Sequence, residues 1–554
     1  MRGEKLYCKQ LRQENAETKS KEDANMKKLI AFVLGLVMCL SLCAANAESA
    51  EPVKLSIWVA ENLKVEDWET NAQTLWLEEQ GNFDLSFNVL SSADYATKVG
   101  VALTVGDEED LPDIILGGFT NSKVWEFAQN ETIVPLTEYY NNPELAVNIN
   151  QQIINCGTDY TKQIICPDGN IYGIARLNQS YMNEYPDKLW IYKPWLDALG
   201  EEIPTTTEDF YRILKKVSET DLNGNGKQDE IPMLGSIGDY NRYFEALMNS
   251  FVYAGGLNYT MVSDEGVMSA AFATEEWKNG LAYIAKLFDE KCIIMEALTM
   301  DDAQATVLLT GEEQLAFSHS YFSANGSVNS GDYIYIEPLV GPEGVQWATF
   351  VESAAKVQFL VTSNCENPEA AFRLGDLLSS EIMGISQRWG LQGVNWDYAA
   401  NVDMTGLSAT VAGWEPSVFA FENDAWWKLK LQNNSWRQTG PYVRSYGIAN
   451  GLVIDPTTLP QNTVNLNAAC KAYQDAALHP KNVPAVLNFT SEEEERILDI
   501  ETALLNYVKE FRANVFAGNI DLDAEWDNYL KELDKIGLDT WIEVYQTAYD
   551  RMYK

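Results

Sequence analysis

Asp221-Leu222-Asn223-Gly224-Asn225-Gly226-Lys227-Gln228-Asp229-Glu230 carries the densest coordination chemistry in the chain. Oxygen-bearing side chains stand at its first, third, fifth, ninth and tenth positions, with glycines where the backbone must bend sharply. A hard cation such as Ca²⁺ takes six to eight oxygens at about 2.3–2.6 Å. Asp221, Asn223, Asn225, Asp229 and Glu230 can supply side-chain oxygens, and the Lys227 carbonyl a backbone one. The start follows the EF-hand pattern D-x-[DN]-x-[DN]-G. The twelfth position is Pro232 rather than a bidentate Glu, so the loop closes early on adjacent acids. A structural Ca²⁺ is expected, because no histidine or spare base lies beside it. The competing reading is an Asn/Gly-rich surface turn with solvated acids.

The rest of the composition narrows the chemistry further. The chain has 554 residues, is 46% hydrophobic and 11% aromatic, and carries a formal charge of −41. It is too long for one hydrophobic core, so at least two lobes are expected. The charge opposes binding of nucleic acid or anionic lipid through a general field, and a neutral or cationic ligand is easier to accommodate. Only two histidines occur, His319 and His479, which excludes a multi-histidine zinc site and leaves few candidates for a histidine-based triad.

Met26 to Ala47 reads as an export signal: Lys27 and Lys28, an apolar run from Leu29 to Leu42, then Ala45-Asn46-Ala47. The run is short of the roughly 20 residues a spanning helix needs. Cleavage after Ala47 is expected, with residues 1–25 a mis-assigned upstream start. Leu40-Ser41-Leu42-Cys43 approximates a lipobox, so a lipid anchor at Cys43 competes, but Leu42 is bulky where a small residue should stand. Beyond the signal, Cys156, Cys166, Cys292, Cys365 and Cys470 are too scattered, and odd in number, for a disulfide framework. Cys156 and Cys166 could pair, or all five could be buried thiols.

Periodicity gives the scaffold that holds these residues. Val53–Val59 alternates like a strand, a helical stretch runs from Asp67 to Glu79, and Phe83–Leu90 alternates again. Asp94–Val105 has helical spacing, and Leu111–Gly118 reads as a short buried strand. That order is an α/β lobe with a largely parallel sheet. Ligands of such sheets lie beyond the carboxyl ends of the strands, near which Trp58, Tyr95 and Phe119 fall. Each could equally fill the core. A threonine of the run Thr205-Thr206-Thr207 is expected to cap a helix whose face is Phe210, Ile213, Leu214 and Val217, with an acid three residues later completing the box. The candidate Ca²⁺ loop would tie the exit of that helix to the chain beyond Ile231. Further on come a helix over Trp277–Leu287, strands at Leu315–Ser318 and Val357–Val361, and a helix over Ala370–Leu378. Ser491 is expected to cap a last long helix, with Glu494 reciprocating.

From Asp168 to Pro232 the chain resembles extracellular solute-binding proteins of ABC importers, family 1, in the oligosaccharide-type lipoprotein subgroup. The Asp168-Gly169-Asn170-Ile171-Tyr172-Gly173-Ile174 strand, the Trp190 to Thr207 segment and the 221–232 loop recur there in the same order. Arg388 to Trp396 matches a "WGxxGxxW" segment, and Asp521 to Arg551 matches the C-terminal helices. The imperfect lipobox departs from the subgroup. The resemblance implies a two-lobed periplasmic-binding-protein-like (type II) α/β fold with hinge segments and a ligand cleft. It implies Ca²⁺ on the ligand set derived above, permease subunits as partners, and no catalysis. The expected division is 48–175 in lobe 1, 176–348 in lobe 2, 349–385 returning to lobe 1, and 386–554 in lobe 2 with the C-terminal helices. A monomer is expected.

Residues 396–436 are dense in aromatics, including Trp396, Tyr398, Trp414, Phe419, Phe421, Trp426, Trp427 and Trp436, and the chain holds 16 tryptophans. Sugar rings present C–H faces that stack on such rings, so carbohydrate is the expected ligand. Gly390 and Gly393 suggest a tight loop carrying Trp389 or Trp396 to the cleft. With Trp58, Tyr95, Phe119 and Trp414 these are the candidate ligand contacts. Two readings compete with a binding protein. One is a secreted, calcium-stabilised carbohydrate-active enzyme, which would need two carboxylates about 5–9.5 Å apart that no motif singles out. The other is a binder of peptides or other polar solutes on the same fold.

Overall fold

Alternation writes the first sheet into the sequence. The structure is a computed structural model describing residues 51–105, 111–237, 242–310, 316–321, 330–421, 431–455 and 459–554. The export signal, Cys43, Leu315, Trp426 and Trp427 lie outside them. Val53–Ala60 (β1) buries Leu55, Ile57 and Val59 on one side while the residues between them stay half open. Phe83–Leu90 (β2) and Ile114–Phe119 (β3) flank it, β3 running parallel to β1 with Trp58 opposite Ile115. Gly173–Asn178 (β4) enters through Lys356–Val361 (β11), which pairs antiparallel with both β3 and β4. Val443–Arg444 (β14) closes the edge beside β4, completing the order β14-β4-β11-β3-β1-β2. The helix expected over Asp67–Glu79 spans Ala72–Gly81. Asn71 caps it by accepting from the Gln73 amide, which keeps Asp67–Thr70 out of the helix.

A second sheet has the order β10-β5-β9-β6: Tyr333–Ile336 (β10), Lys188–Tyr192 (β5), Ala316–Tyr321 (β9) and Ile231–Leu234 (β6). β5 is buried at every position, because helices cover both its faces. Thr206 caps Thr207–Glu219, which buries Phe210, Ile213, Leu214 and Val217. Glu275–Asp289 and the three C-terminal helices Ser491–Phe516, Leu522–Ile536 and Leu538–Tyr553 complete this core, burying Trp277, Trp526, Tyr529, Trp541 and Tyr545. Thr260–Val262 (β7) and Met268–Ala270 (β8) form a small hairpin. The last long helix is capped by Thr490, not Ser491. Thr490 has the extended backbone a cap requires, and it makes the reciprocal box with Glu493 rather than Glu494.

Two sheets with separate cores make the fold two-lobed. The chain crosses between them three times: from β4 to β5, from β10 back to β11, and from β14 to the helix Gln461–Ala476, which packs on β10. Segment 386–554, read from the sequence as second lobe throughout, divides between the lobes. β14 pairs in the first sheet. Trp436 is fully buried against Trp68 and Phe87, its Nε1 donating to Thr74 Oγ1 at 2.9 Å. The cause is long-range packing, with Val443 opposite Leu177 in the sheet and Trp436 bonded to Thr74, which local periodicity does not encode. Trp396–Tyr398 (β12), Val418–Ala420 (β13) and Leu452–Ile454 (β15) form a three-stranded sheet of their own.

Candidate ligand cleft and cation loop

Glu184, Ser353 and Tyr446 come from the three separate crossings and meet at one carboxylate. Glu184 Oε1 accepts from Ser353 Oγ at 2.8 Å and from the Tyr446 hydroxyl. The Glu184 carbonyl takes the Val351 amide at 2.9 Å, adding a backbone tie between two crossings. Glu184 is 1% exposed. Burial pushes its carboxyl above the usual range, and the two hydroxyl donors pull it partway back.

Around this junction stands a group of rings. Tyr181 packs 5.8 Å from Trp414 and 5.4 Å from Tyr446, and Trp414 lies 6.4 Å from Tyr446, centroid to centroid. All three are half-buried, so each keeps ring surface toward solvent. Of the sequence-derived candidates, Trp414 belongs to this group. Tyr181 and Tyr446 were missed, because nothing local marks a tyrosine at the start of a short helix as a site residue. Only the crossings bring them beside Trp414.

Trp58, Tyr95 and Phe119 are gathered elsewhere, against the first-lobe core and half-buried. Strand alternation puts Trp58, Ile115, Gly117 and Phe119 on one face. Gly117 admits the Tyr95 ring, since a Cβ there would sit 3.0 Å from it. The Tyr95 hydroxyl donates to the Leu116 carbonyl, and Phe119 meets Phe127 edge to face at 6.3 Å. The third pair departs from expectation. Trp396 has no exposed surface and donates from Nε1 to the Gly390 carbonyl at 2.9 Å. Trp389 is 6% exposed in the same small core. Gly390, at φ +99°, does make the tight loop, with Asn395 Oδ1 accepting from the Leu391 amide. That loop folds Trp396 inward, which corrects the expectation that it reaches the cleft. All five described cysteines are free and buried, so Cys156 and Cys166 do not pair. Burial pushes both thiols up to about 12.

The 221–230 loop comes directly after its helix, whose last carbonyls include Glu219, the acceptor for Gln228 Nε2 at 2.9 Å. Gly224 and Gly226 take φ of +74° and +81°, which only glycine adopts without strain. Asp221 accepts from the amides of Gly224, Asn225 and Gly226 at 2.7, 3.1 and 2.8 Å. Asn223 and Asn225 both donate to Asp229, holding its carboxyl below the usual range. Glu230 Oε1 accepts from Leu222 and Asn223, while Oε2 is buried with no partner. A buried carboxylate oxygen without a donor fits a cation ligand. Among the described residues no three His, Cys, Asp or Glu side chains converge as a cage. An ion here would therefore also draw on the amide oxygens of Asn223 and Asn225 and on the Lys227 carbonyl. The loop continues into β6 at Ile231.

No known family model matches the chain. It is 24% identical over 479 residues to the fructooligosaccharide ABC transporter substrate-binding protein FusA of Streptococcus pneumoniae serotype 4, covering 83% of each chain. It is 22% identical over 414 residues to the polygalacturonan/rhamnogalacturonan-binding protein YtcQ of Bacillus subtilis, covering 70% of this chain and 78% of that one. The solved complex of FusA with kestose superposes with a TM-score of 0.69 at 22% identity, over 90% of this chain and 99% of that one. A solute-binding protein from Bifidobacterium longum infantis, described as binding HMO, gives 0.74 at 21% identity over 91% and 99%. FusA has also been solved as an EF-hand mutant, with a TM-score of 0.68. The fold is a two-lobed α/β one shared with solved solute-binding proteins, and the curated relatives are substrate-binding or polysaccharide-binding proteins by name. That agrees with the oligosaccharide type of extracellular solute-binding family 1. These relatives are binding proteins rather than enzymes.

Proposed function

We propose that this protein is the extracellular substrate-binding component of an ABC importer, capturing an oligosaccharide by lobe closure and handing it unchanged to permease subunits. The observation that carries this reading is the Tyr181–Trp414–Tyr446 group at the crossings between two separately cored lobes. Half-open rings there can stack on the C–H faces of a sugar, and the crossings let the lobes close on it. A ligand that contacts both lobes stabilises the closed form by its differential affinity for it. Trp58, Tyr95 and Phe119 would contribute from the first lobe, and Trp389 through the cavity it lines. FusA and YtcQ, which bind oligo- or polysaccharide by name, support the carbohydrate class.

The chain acts as an exported monomer, by the signal at Met26–Ala47 or an anchor at Cys43. Among the described residues no helix is long and apolar enough to cross a membrane. A Ca²⁺ on Asp221, Asn223, Asn225, Lys227, Asp229 and Glu230 would hold the second lobe's helix-to-strand connection. The test is calorimetry against a panel of oligosaccharides, with chromatography of the recovered ligand. Saturable binding with the ligand returned intact is expected. New reducing ends would favour an enzyme, and failure of every sugar to bind would refute the carbohydrate reading.

A further inference from the structure

A cavity of about 60 Å³ adjoins two of the three rings along the chain: Ser180 and Met182, which flank Tyr181, line it, as does Arg444, two residues before Tyr446, together with Arg388, Trp389 and Asn450. A cavity needs about 10–15 Å³ of such space to hold one water, so there is room for a small polar group the size of a carboxylate. Arg444 ends β14 and is 7% exposed, and its Nε–H has no hydrogen-bond partner. Asn450, 2% exposed, ends the short helix Tyr446–Asn450, and its Nδ2 has none either. Both orphaned atoms are donors, so what is missing is an acceptor. Leaving a buried donor unmet costs about 1–3 kcal/mol.

The charge around the cavity has one sign. Arg388 and Arg444 sit close enough to repel: burial, then Arg444, drives the Arg388 guanidinium below its ordinary range. Burial does the same to Arg444. Among the described residues no acidic side chain lines the cavity. Met182 and Cys470, also on its wall, are the neighbours of buried Lys188, whose Nζ donates to the Met182 carbonyl at 3.2 Å. In a chain of net charge −41, a buried basic pocket beside the ring group is a local reversal of the overall field. The surrounding acids make it selective, because an anion gains there only if it reaches the arginines.

We propose that the Arg444–Asn450 cavity is a subsite for a carboxylate, and that the protein's ligand is an acidic oligosaccharide whose uronate carboxyl enters it while the neighbouring ring stacks on Trp414. This rests on the carbohydrate reading above and narrows it. A guanidinium presents paired donors that match a carboxylate's two oxygens, and such charge-assisted bonds are about twice as strong as neutral ones. The overall negative charge slows the approach of a uronate, whereas the subsite lowers its escape.

The test is calorimetry on the full mature chain with a panel of galacturonate, mannuronate–guluronate and glucuronate oligosaccharides, each beside its methyl ester and a neutral oligosaccharide set. At least one acid should bind tenfold or more tighter than its own ester. Arg444→Gln should bring the ratio of acid to ester affinity close to one. Asn450→Ala should weaken the acid several-fold, and both variants are checked by circular dichroism. Should Arg444→Gln misfold, the acid-to-ester ratio of the unsubstituted protein decides alone. Esters binding as tightly as acids, or neutral sugars binding while every acid fails, would overturn the subsite and leave the carbohydrate reading standing. Stabilisation by acetate or sulfate with no preference among oligosaccharides would assign the cavity to a free anion and overturn it too. Failure of all oligosaccharides would overturn both.

Discussion

Removing the Glu184 carboxylate should loosen the junction at which three crossings meet. Its Oε1 takes two hydroxyl donors, Ser353 Oγ and the Tyr446 hydroxyl, and hydrogen bonds to a charged group are worth about 1.5–3 kcal/mol each. Against this stands the desolvation that raises the Glu184 pKa, with Glu352 adding repulsion. The net loss in Glu184→Ala is therefore expected at about 2–4 kcal/mol. Glu184→Gln keeps an acceptor oxygen and sheds the buried charge, so it should lie within about 1 kcal/mol of the unsubstituted protein. Tyr446→Phe should cost about 1.5–3 kcal/mol. The raised pKa sets the sign of the pH dependence. The folded state holds this proton to higher pH than the unfolded state does. Stability from this group is therefore present below about pH 4.5 and lost as pH rises through the folded pKa. Glu184→Gln should remove that segment of the pH profile. Urea unfolding at a series of pH values, followed by tryptophan fluorescence, measures both effects. An Ala variant within about 0.5 kcal/mol of the unsubstituted protein, or a Gln variant as damaged as the Ala one, would refute the reasoning.

Four other outcomes are expected. Saturating Ca²⁺ at about a hundred times its Kd should add about 2.7 kcal/mol to folding. This would appear as a rise of a few degrees in melting temperature that EGTA or Asp221→Ala removes; a melt indifferent to chelator would count against the ion. Trp414→Ala should weaken oligosaccharide binding about tenfold with little change in melting, since the ring is half open. Trp396→Ala, which empties a fully buried site, should cost about 3–5 kcal/mol in denaturant unfolding. His319 is fully buried, and burial pushes its pKa down to about 3. The unfolded chain binds that proton near pH 6.5 and the folded chain does not, so stability should fall as pH drops from 6.5 toward 3. His319→Phe should flatten that limb in acid unfolding curves.

Much of the fold is legible locally. The alternation of Val53–Val59 and Phe83–Leu90 marks strands observed at Val53–Ala60 and Phe83–Leu90. The stripe Phe210, Ile213, Leu214 and Val217 gives a buried helix face. Thr490 and Ser491 are both good caps, and only the backbone conformation at 490 decides between them.

Local sequence was enough to mark the elements and the acidic loop, because strand period, helix period and turn chemistry act within a few residues of one another. The 221–230 loop is such a case: its oxygens and glycines all lie in one short span. Which aromatics stay partly open and which are buried is decided by long-range packing alone. Trp396 and Trp414 look alike in sequence, yet one donates to Gly390 inside a core and the other stands half open beside Tyr181 and Tyr446. The meeting of Glu184, Ser353 and Tyr446, and of Ser180 with Arg444 around one cavity, likewise depends on strands that pair across hundreds of residues. Such pairing is set by the burial of whole sheets, and no local pattern records it.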